Sequence, residues 1–310
     1  MPDQTTETTT FRNTLKTLLL TSLALIAFAA NSVLCRLALG EGAIDAAGFT
    51  IVRMVSAVLV LFVLVTLIVN VKERGNGNVK PSLSKGSWTA SIMLFAYAVA
   101  FSFAYQFLDT GTGALILFGA VQITMLLVSV VTGTRLRLLE WVGIAAAFCG
   151  FVYLVLPQVS TPSLTGFILM TLSGVAWGFY SVIGRNSKNP LLDTHYNFLR
   201  CLVFVLVLLA FSFQTLQYTF NGLVYAVLSG GIMSALGYTV WYMALKRLAG
   251  TSAAVVQLLV PVIAAIGGVI FVAEDITTRL MISGAMILGG IFLVVLAKPK
   301  LATEKTTQSD

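Results

Sequence analysis

The chain has 310 residues; 58% are hydrophobic, only 10% are charged, and the mean hydropathy is +0.94. That is too little charge to cover a water-soluble protein of this length. The net charge of +7 invites a nucleic-acid partner, which the distribution of the basic residues excludes.

From the N-terminus, residues 1–12 are polar and Thr-rich, the composition of a disordered tail. Apolar blocks of about twenty residues follow, the length that crosses a bilayer as a helix. Ten spans are predicted, at 15–39, 45–69, 86–108, 112–130, 138–156, 164–184, 195–213, 222–245, 250–272 and 279–297. The first imitates a signal peptide, with Lys16, a leucine-rich stretch and Ala27-Phe28-Ala29. Its apolar run continues to Leu39, so an uncleaved span is expected. One longer loop, about 70–85, is rich in Gly, Asn, Lys and Ser, and 298–310 is a second polar tail. Cys35, Cys149 and Cys201 fall inside spans without metal-ligand spacing and read as small buried hydrophobes. No metal and no cofactor are expected.

With a cytoplasmic N-terminus and alternating sides, fifteen Lys and Arg fall inside and only Arg36 and Arg279 outside. Arg53 and Arg200 lie within spans. This bias places both termini in the cytoplasm. The expected location is the bacterial cytoplasmic (inner) membrane, crossed many times. The lipid bilayer accounts for the basic residues, and no nucleic acid is needed.

The second half repeats the first. Ser22 to Arg36, SLALIAFAANSVLCR, matches Thr171 to Arg185, TLSGVAWGFYSVIGR. Gly111-Thr112-Gly113-Ala114 recurs as Gly250-Thr251-Ser252-Ala253, each read as a turn between spans. The repeats cover 15–156 and 164–297, between tails at 1–14 and 298–310. Five spans in each turn the copies upside down to one another. The fold class is an all-α integral membrane protein of ten transmembrane helices in two inverted five-helix repeats. Such repeats put a substrate site near the bilayer midplane, at their interface.

Four segments carry a family resemblance: YQFLDTGTGA (105–114), YMALKRLAGTSA (242–253), VVQLLVPVIAAIGGVIFVAED (255–275) and GAMILGGIFLVVL (284–296). In this order they resemble the EamA branch of the drug/metabolite transporter (DMT) superfamily over nearly the whole chain. The resemblance implies transport of amino acids or other small metabolites. It also implies spans 1–4 and 6–9 around a central cavity, with spans 5 and 10 peripheral. One departure stands out. The family commonly has a proline in span 4, as Pro261 provides in span 9; here Gln122 holds the aligned position, so hinge behaviour is expected to differ between the halves.

All twelve carboxylates lie at helix ends, in loops or in tails. Pumps for lipophilic cations need an embedded carboxylate as counter-ion. The embedded charges here are Arg53 and Arg200, which favour substrates bearing a carboxylate or phosphate. The plainer alternative is arginines that snorkel to the interface. Among neutral polar positions, Asn31 aligns with Tyr180, Phe28 with Trp177, and Gln122 with Pro261, while Gln257 lies one turn before Pro261. Mid-span amides either contact a ligand or bond neighbouring helices. Tyr97, Phe101 and Tyr105 form one aromatic stripe, Tyr238, Trp241 and Tyr242 a second, and Trp177 with Tyr180 a third. Trp88, Trp141 and Tyr218 fit an interface belt; the deeper aromatics do not. The candidate substrate-binding set is Asn31, Arg53, Tyr97, Gln122, Trp177, Tyr180, Arg200, Tyr238, Tyr242 and Gln257. Pro261, which removes a helix hydrogen bond, is the candidate hinge. Ala146-xxx-Gly150 and Ala285-xxx-Gly289 are expected to pack closely.

These features read as a secondary transporter, an exporter of small polar or amphipathic metabolites such as amino acids, working by alternating access. A non-transporting membrane scaffold would not need embedded arginines. An integral-membrane enzyme needs an Asp pair, a Ser-His pair or metal ligands, and the single histidine, His195, sits at a helix end. No catalytic residue is assigned. The chain carries no nucleotide-binding loop, so ATP is not an expected partner. Uniport and proton antiport are both compatible with the sequence.

Overall fold

The computed structural model describes residues 4–75, 85–133, 137–155, 162–185, 187–245, 247–248 and 256–297. The expected turn at Gly250–Ala253, the tail 298–310 and most of the loop at 70–85 lie outside the described residues. Ten long helices are described: α1 Gln4–Leu39, α2 Ala46–Gly75, α3 Trp88–Ala104, α4 Thr110–Val131, α5 Leu138–Val155, α6 Leu164–Gly184, α7 Pro190–Ser212, α8 Phe220–Leu245, α9 Leu259–Val272 and α10 Thr278–Ala297. Six are long and apolar enough to cross a membrane; α3, α5, α9 and α10 are shorter apolar helices. The described residues hold no strand, only the bridge between Ile44 and Tyr218. The protein is a multi-pass, all-helical membrane protein, and ten spans are compatible with it.

Capping chemistry sets several boundaries. Ser87 Oγ accepts from Ala90 N (3.1 Å), Thr219 Oγ1 from Gly222 N (3.1 Å) and Asn189 Oδ1 from Leu192 N (3.4 Å). Each satisfies a helix donor that would otherwise be orphaned. Pro190 then opens α7 where its missing N–H costs nothing, so α7 starts five residues ahead of the expected 195. The first helix runs from Gln4 because neither Gly nor Pro interrupts 4–39, which replaces most of the expected disordered tail.

Two expectations are corrected. Gly111 and Gly113 are not in a turn but in the first helical turn of α4. Gly111 lets Ala265 of α9 approach, and Gly113 faces the Tyr105 ring, so a side chain at either would collide. The ladder break expected from Pro261 is present in span 9: residues 256 and 257 are helical, and Pro261 is the third residue of α9. The helix breaks just ahead, at Leu258. The second correction is that Ala285 and Gly289 face outward. The tight face joins Gly143, Ala147 and Gly150 of α5 to Ile287, Gly290 and Val294 of α10. Cys149 likewise lies on the outer face of α5, while Cys35 and Cys201 are buried.

The packing places α1 against α8 and α9, α6 against α3 and α4, and α2 against α7 and α8. Helices α3 and α7 touch, as do α4 and α9. The α5–α10 pair packs chiefly on itself, with its lighter contacts on α4. At one end of the bundle Arg36 joins the turns that follow α3 and α9. At the other, Asp193 joins the segment before α3 to the start of α7.

Candidate functional site

The interior turns on Arg53, which is fully buried on α2. Its Nε donates to Ser234 Oγ (3.2 Å), and its Nη2 donates to the hydroxyls of Tyr97 and Tyr238 (both 3.1 Å). Tyr238 in turn donates to the Tyr97 hydroxyl (3.3 Å). The guanidinium carbon lies 5.3 Å from the Tyr97 ring centroid and 5.0 Å from that of Phe101. Nη1 is buried and has no hydrogen-bond partner among the described residues. Among the described residues no carboxylate pairs with Arg53: both ion pairs belong to Arg36. Neutral hydroxyls and aromatic faces soften the cost of burying this cation but do not cancel its charge.

Local structure explains how α8 reaches it. Residues Leu228–Leu236 are wound as a π-helix inside α8. Gly230 there packs directly on the Arg53 carbonyl and Ser56 Oγ, leaving no room for a Cβ. The wide turn lets α8 lie against α2 and aims Ser229, Ser234 and Tyr238 inward, the kind of place where π segments recur. Ser229 donates to Asn31 Oδ1 (2.6 Å), tying α8 to α1.

The aromatic partners of Arg53, Tyr97, Phe101 and Tyr238, also wall a water-sized gap of about 10 Å³, together with Phe28, Asn31 and Trp177 among others; Arg53 itself does not line it. Trp177 packs on the same tyrosines, with ring centroids 4.8 Å from Tyr97 and 4.7 Å from Tyr238. The aromatic series continues through Tyr180 (5.3 Å from Trp177) to Tyr242 (6.5 Å further). Those last two tyrosines line a larger cavity of about 200 Å³ at the Asp193 end.

The opposite end is sealed. Arg36 Nε donates to Glu274 Oε1 (3.0 Å), its Nη2 to Asp109 Oδ1 (3.3 Å) and its Nη1 to the Tyr105 carbonyl (3.3 Å). Both Glu274 oxygens also accept from Thr110 N, at 3.0 and 2.8 Å, so this carboxylate caps α4. Glu274 reaches that position because Ala273 ends α9 in the left-handed conformation at φ 56°.

The expected set thus divides. Asn31, Arg53, Tyr97, Trp177 and Tyr238 meet in one layer. Tyr180 and Tyr242 belong to the end cavity. Gln122 Nε2 donates to Gln257 Oε1 (3.4 Å), which links α4 to the residues just before α9. Arg200 is half-buried away from the gap, bonded to the Lys85 carbonyl and lying 5.5 Å from the Trp88 ring centroid. Pro261 follows the break at Leu258. The sequence reading missed Ser229 and Ser234; the run Ser229-Gly230-Gly231 in mid-span was the available signal.

Comparison with known proteins places the chain. Residues 164–296 match the model of the EamA-like transporter family. An uncharacterized protein of Pseudomonas aeruginosa is 47% identical over 282 residues, covering 90% of this chain and 94% of its own. An uncharacterized transporter of Archaeoglobus fulgidus is 30% identical over 232 residues, covering 70% of this chain and 78% of its own. A solved crystal structure of a protein shares the fold at a TM-score of 0.58 and 19% identity, over 91% of this chain and 99% of that one. The relatives point to a transporter rather than an enzyme, acting on a small molecule across a lipid bilayer. The chain belongs to the EamA-like transporter family.

Proposed function

We propose that the protein is a secondary exporter of small metabolites that carry a carboxylate, zwitterionic amino acids above all, and that the substrate carboxylate meets Arg53. One observation carries this reading: among the described residues a fully buried guanidinium faces neutral groups only, with one nitrogen unbonded. A cation left without an anion in a membrane interior is retained at a cost, and an anionic ligand offsets it. The aromatic walls suit the apolar part of such a solute.

Alternating access is supported by the asymmetry of the ends, one sealed by Arg36, the other hollow. Two inverted five-helix repeats are supported by the packing. Exchanging α1–α5 with α6–α10 turns α1–α8 into α6–α3, α1–α9 into α6–α4 and α2–α8 into α7–α3, all of them pairs in contact. The charge bias supports cytoplasmic termini in a bacterial inner membrane, with the Arg36 end outward.

The test is counterflow of labelled amino acids in proteoliposomes, with and without a pH gradient. Amino acids should exchange, and their amides and esters, which lack the carboxylate, should not. In overexpressing cells, protection against toxic amino-acid analogues is expected. Protection against ethidium or methyl viologen, with no effect on amino acids, would overturn the substrate class.

A further inference from the structure

The outer seam between α3 and α7 carries a cation that no carboxylate pairs with among the described residues. Arg200 of α7 lays its guanidinium against Trp88 of α3, 5.5 Å from the ring centroid, and its Nη1 donates to the Lys85 carbonyl. These two contacts orient the group, and its Nε and Nη2 stay open to the surroundings. Both ion pairs among the described residues belong to Arg36. Asp193, in the first turn of α7, bonds Gly86 N and the Ser187 hydroxyl rather than Arg200. Lys85, exposed where it borders the cavity at the Asp193 end, adds a second cation. Both helices show where the bilayer begins. Trp88 is exposed and opens α3, whose 17 residues span about 26 Å at 1.5 Å each, close to the hydrocarbon thickness. On α7 no residue before Leu199 is exposed, and from Leu199 onward the exposed positions are apolar. Arg200 and Trp88 thus stand at the membrane boundary, where tryptophan concentrates. Deeper along the seam, Phe204 packs edge-on to Trp88 (6.3 Å between centroids) and against Phe95 (5.4 Å), an aromatic strip leading into the bilayer.

We propose that this seam binds an anionic phospholipid, its phosphate against Arg200 and Lys85 and one acyl chain along Phe204 and Phe95. An oriented guanidinium presents a fork of donors that matches phosphate oxygens. Basic residues gathered at the membrane edge of spanning helices recognise such headgroups. A zwitterionic lipid brings its own cation to the same place, and the two protein cations disfavour it. A free phosphate gains the charge contact but leaves the aromatic strip uncovered. That the lipid comes from the cytoplasmic leaflet rests on the orientation proposed above; the binding seam does not, and it is independent of the transport reading.

Trp88 is its own reporter. Trp177 and Trp241 are buried, so replacing Trp141, the other exposed tryptophan, by phenylalanine leaves Trp88 as the one indole open to lipid. The full-length protein is placed in phosphatidylcholine nanodiscs doped with an equal mole fraction of either phosphatidylglycerol or phosphatidylcholine brominated near the top of one chain. Bromine quenches an indole it touches. Brominated phosphatidylglycerol should quench Trp88 about threefold more than brominated phosphatidylcholine. Arg200→Gln should bring that ratio close to one, and Lys85→Gln should lower it part of the way. Arg200→Lys should keep only part, since a point charge lacks the fork. The control is Trp141 in a Trp88→Phe background: it is exposed at the start of α5 and should show no such preference. Soluble glycerol phosphate should not displace the lipid. An equal preference at both tryptophans would reduce the effect to the general attraction of a basic chain and overturn the proposal. A preference that survives Arg200→Gln, or that glycerol phosphate abolishes, would overturn it as well.

Discussion

At the scale of single residues, Arg53 presents a conflict between stability and use. An unpaired buried cation is destabilising, so its removal should not harm the fold. Arg53→Gln keeps hydrogen-bonding capacity for Ser234 and the tyrosines while removing the charge. The expected outcome is an unchanged or raised melting temperature, together with a fall of roughly tenfold or more in amino-acid flux, about 1.4 kcal/mol of lost transition-state stabilisation. Arg53→Lys should recover only part, since a point charge cannot reproduce the planar fork. A melting temperature that drops in parallel with flux would instead make Arg53 a structural member of the α2–α8 contact. Arg200 provides the contrast. It rests on Trp88 at the bundle surface, the snorkelling arrangement, and Arg200→Gln should leave flux within about twofold.

At the scale of helices, the close face between α5 and α10 yields a prediction with an internal control. A Cβ on Gly290 would strike the Gly143 carbonyl and, at 2.7 Å, Ala147 N, both backbone atoms that cannot swing aside. Gly290→Ala should therefore cost about 1–3 kcal/mol, the usual range for overpacking. Gly289→Ala, one position along, meets nothing within 4 Å and should be neutral or slightly stabilising through helix propensity. Thermal melts of the two variants decide it; equal losses would mean the helices do not meet on this face. The same pair shows what sequence can and cannot reveal. Small residues at four-residue spacing announced close packing, and Gly143/Ala147 and Ala146/Gly150 satisfy that pattern equally well, yet the packed face takes Gly143, Ala147 and Gly150 and leaves Ala146 aside. The choice between them is rotational, and only the partner helix makes it. Helix number and approximate span were legible because about twenty apolar residues per helix is a one-dimensional signal. The π segment of α8 was not legible: it arises where Gly230 must meet the Arg53 backbone, a contact between residues far apart in the chain. The aromatic and amide candidates were legible as deep polar positions. Their division between a central layer and an end cavity depends on depth along α6 and α8, which spacing alone does not supply.

At the scale of the whole molecule, orientation comes first. Glu41 and Lys188 are exposed at opposite ends, so single cysteines there should label from opposite sides of the membrane, Glu41→Cys from outside and Lys188→Cys from the cytoplasm. The reverse pattern would invert the proposed direction of the bundle. The sealed end supplies the remaining prediction. Arg36 and Glu274 are separated by 238 residues in the chain, and their pairing joins α1 to the α9–α10 turn while Glu274 also holds the start of α4. The side chains are mostly shielded, at 21% and 12% exposure, so salt screens this pair less than a solvent-exposed one. If this network is what holds that end shut, removing it should shift the population of facing states by about 1–2 kcal/mol, a factor of roughly 5–30. Thr112, in the crevice beside Glu274, is the reporter: Thr112→Cys should alkylate slowly in the parent and several times faster with Glu274→Gln. Ile183 lines the cavity at the Asp193 end, and Ile183→Cys should label more slowly in the same variant, because opening one end closes the other in alternating access. Charge reversal of both partners, Arg36→Glu with Glu274→Arg, restores the ion pair but not the cap on α4, so it should return only part of the effect. Faster labelling at both ends together would show a loosened bundle rather than a shifted equilibrium, and would end the view of this ion pair as a gate.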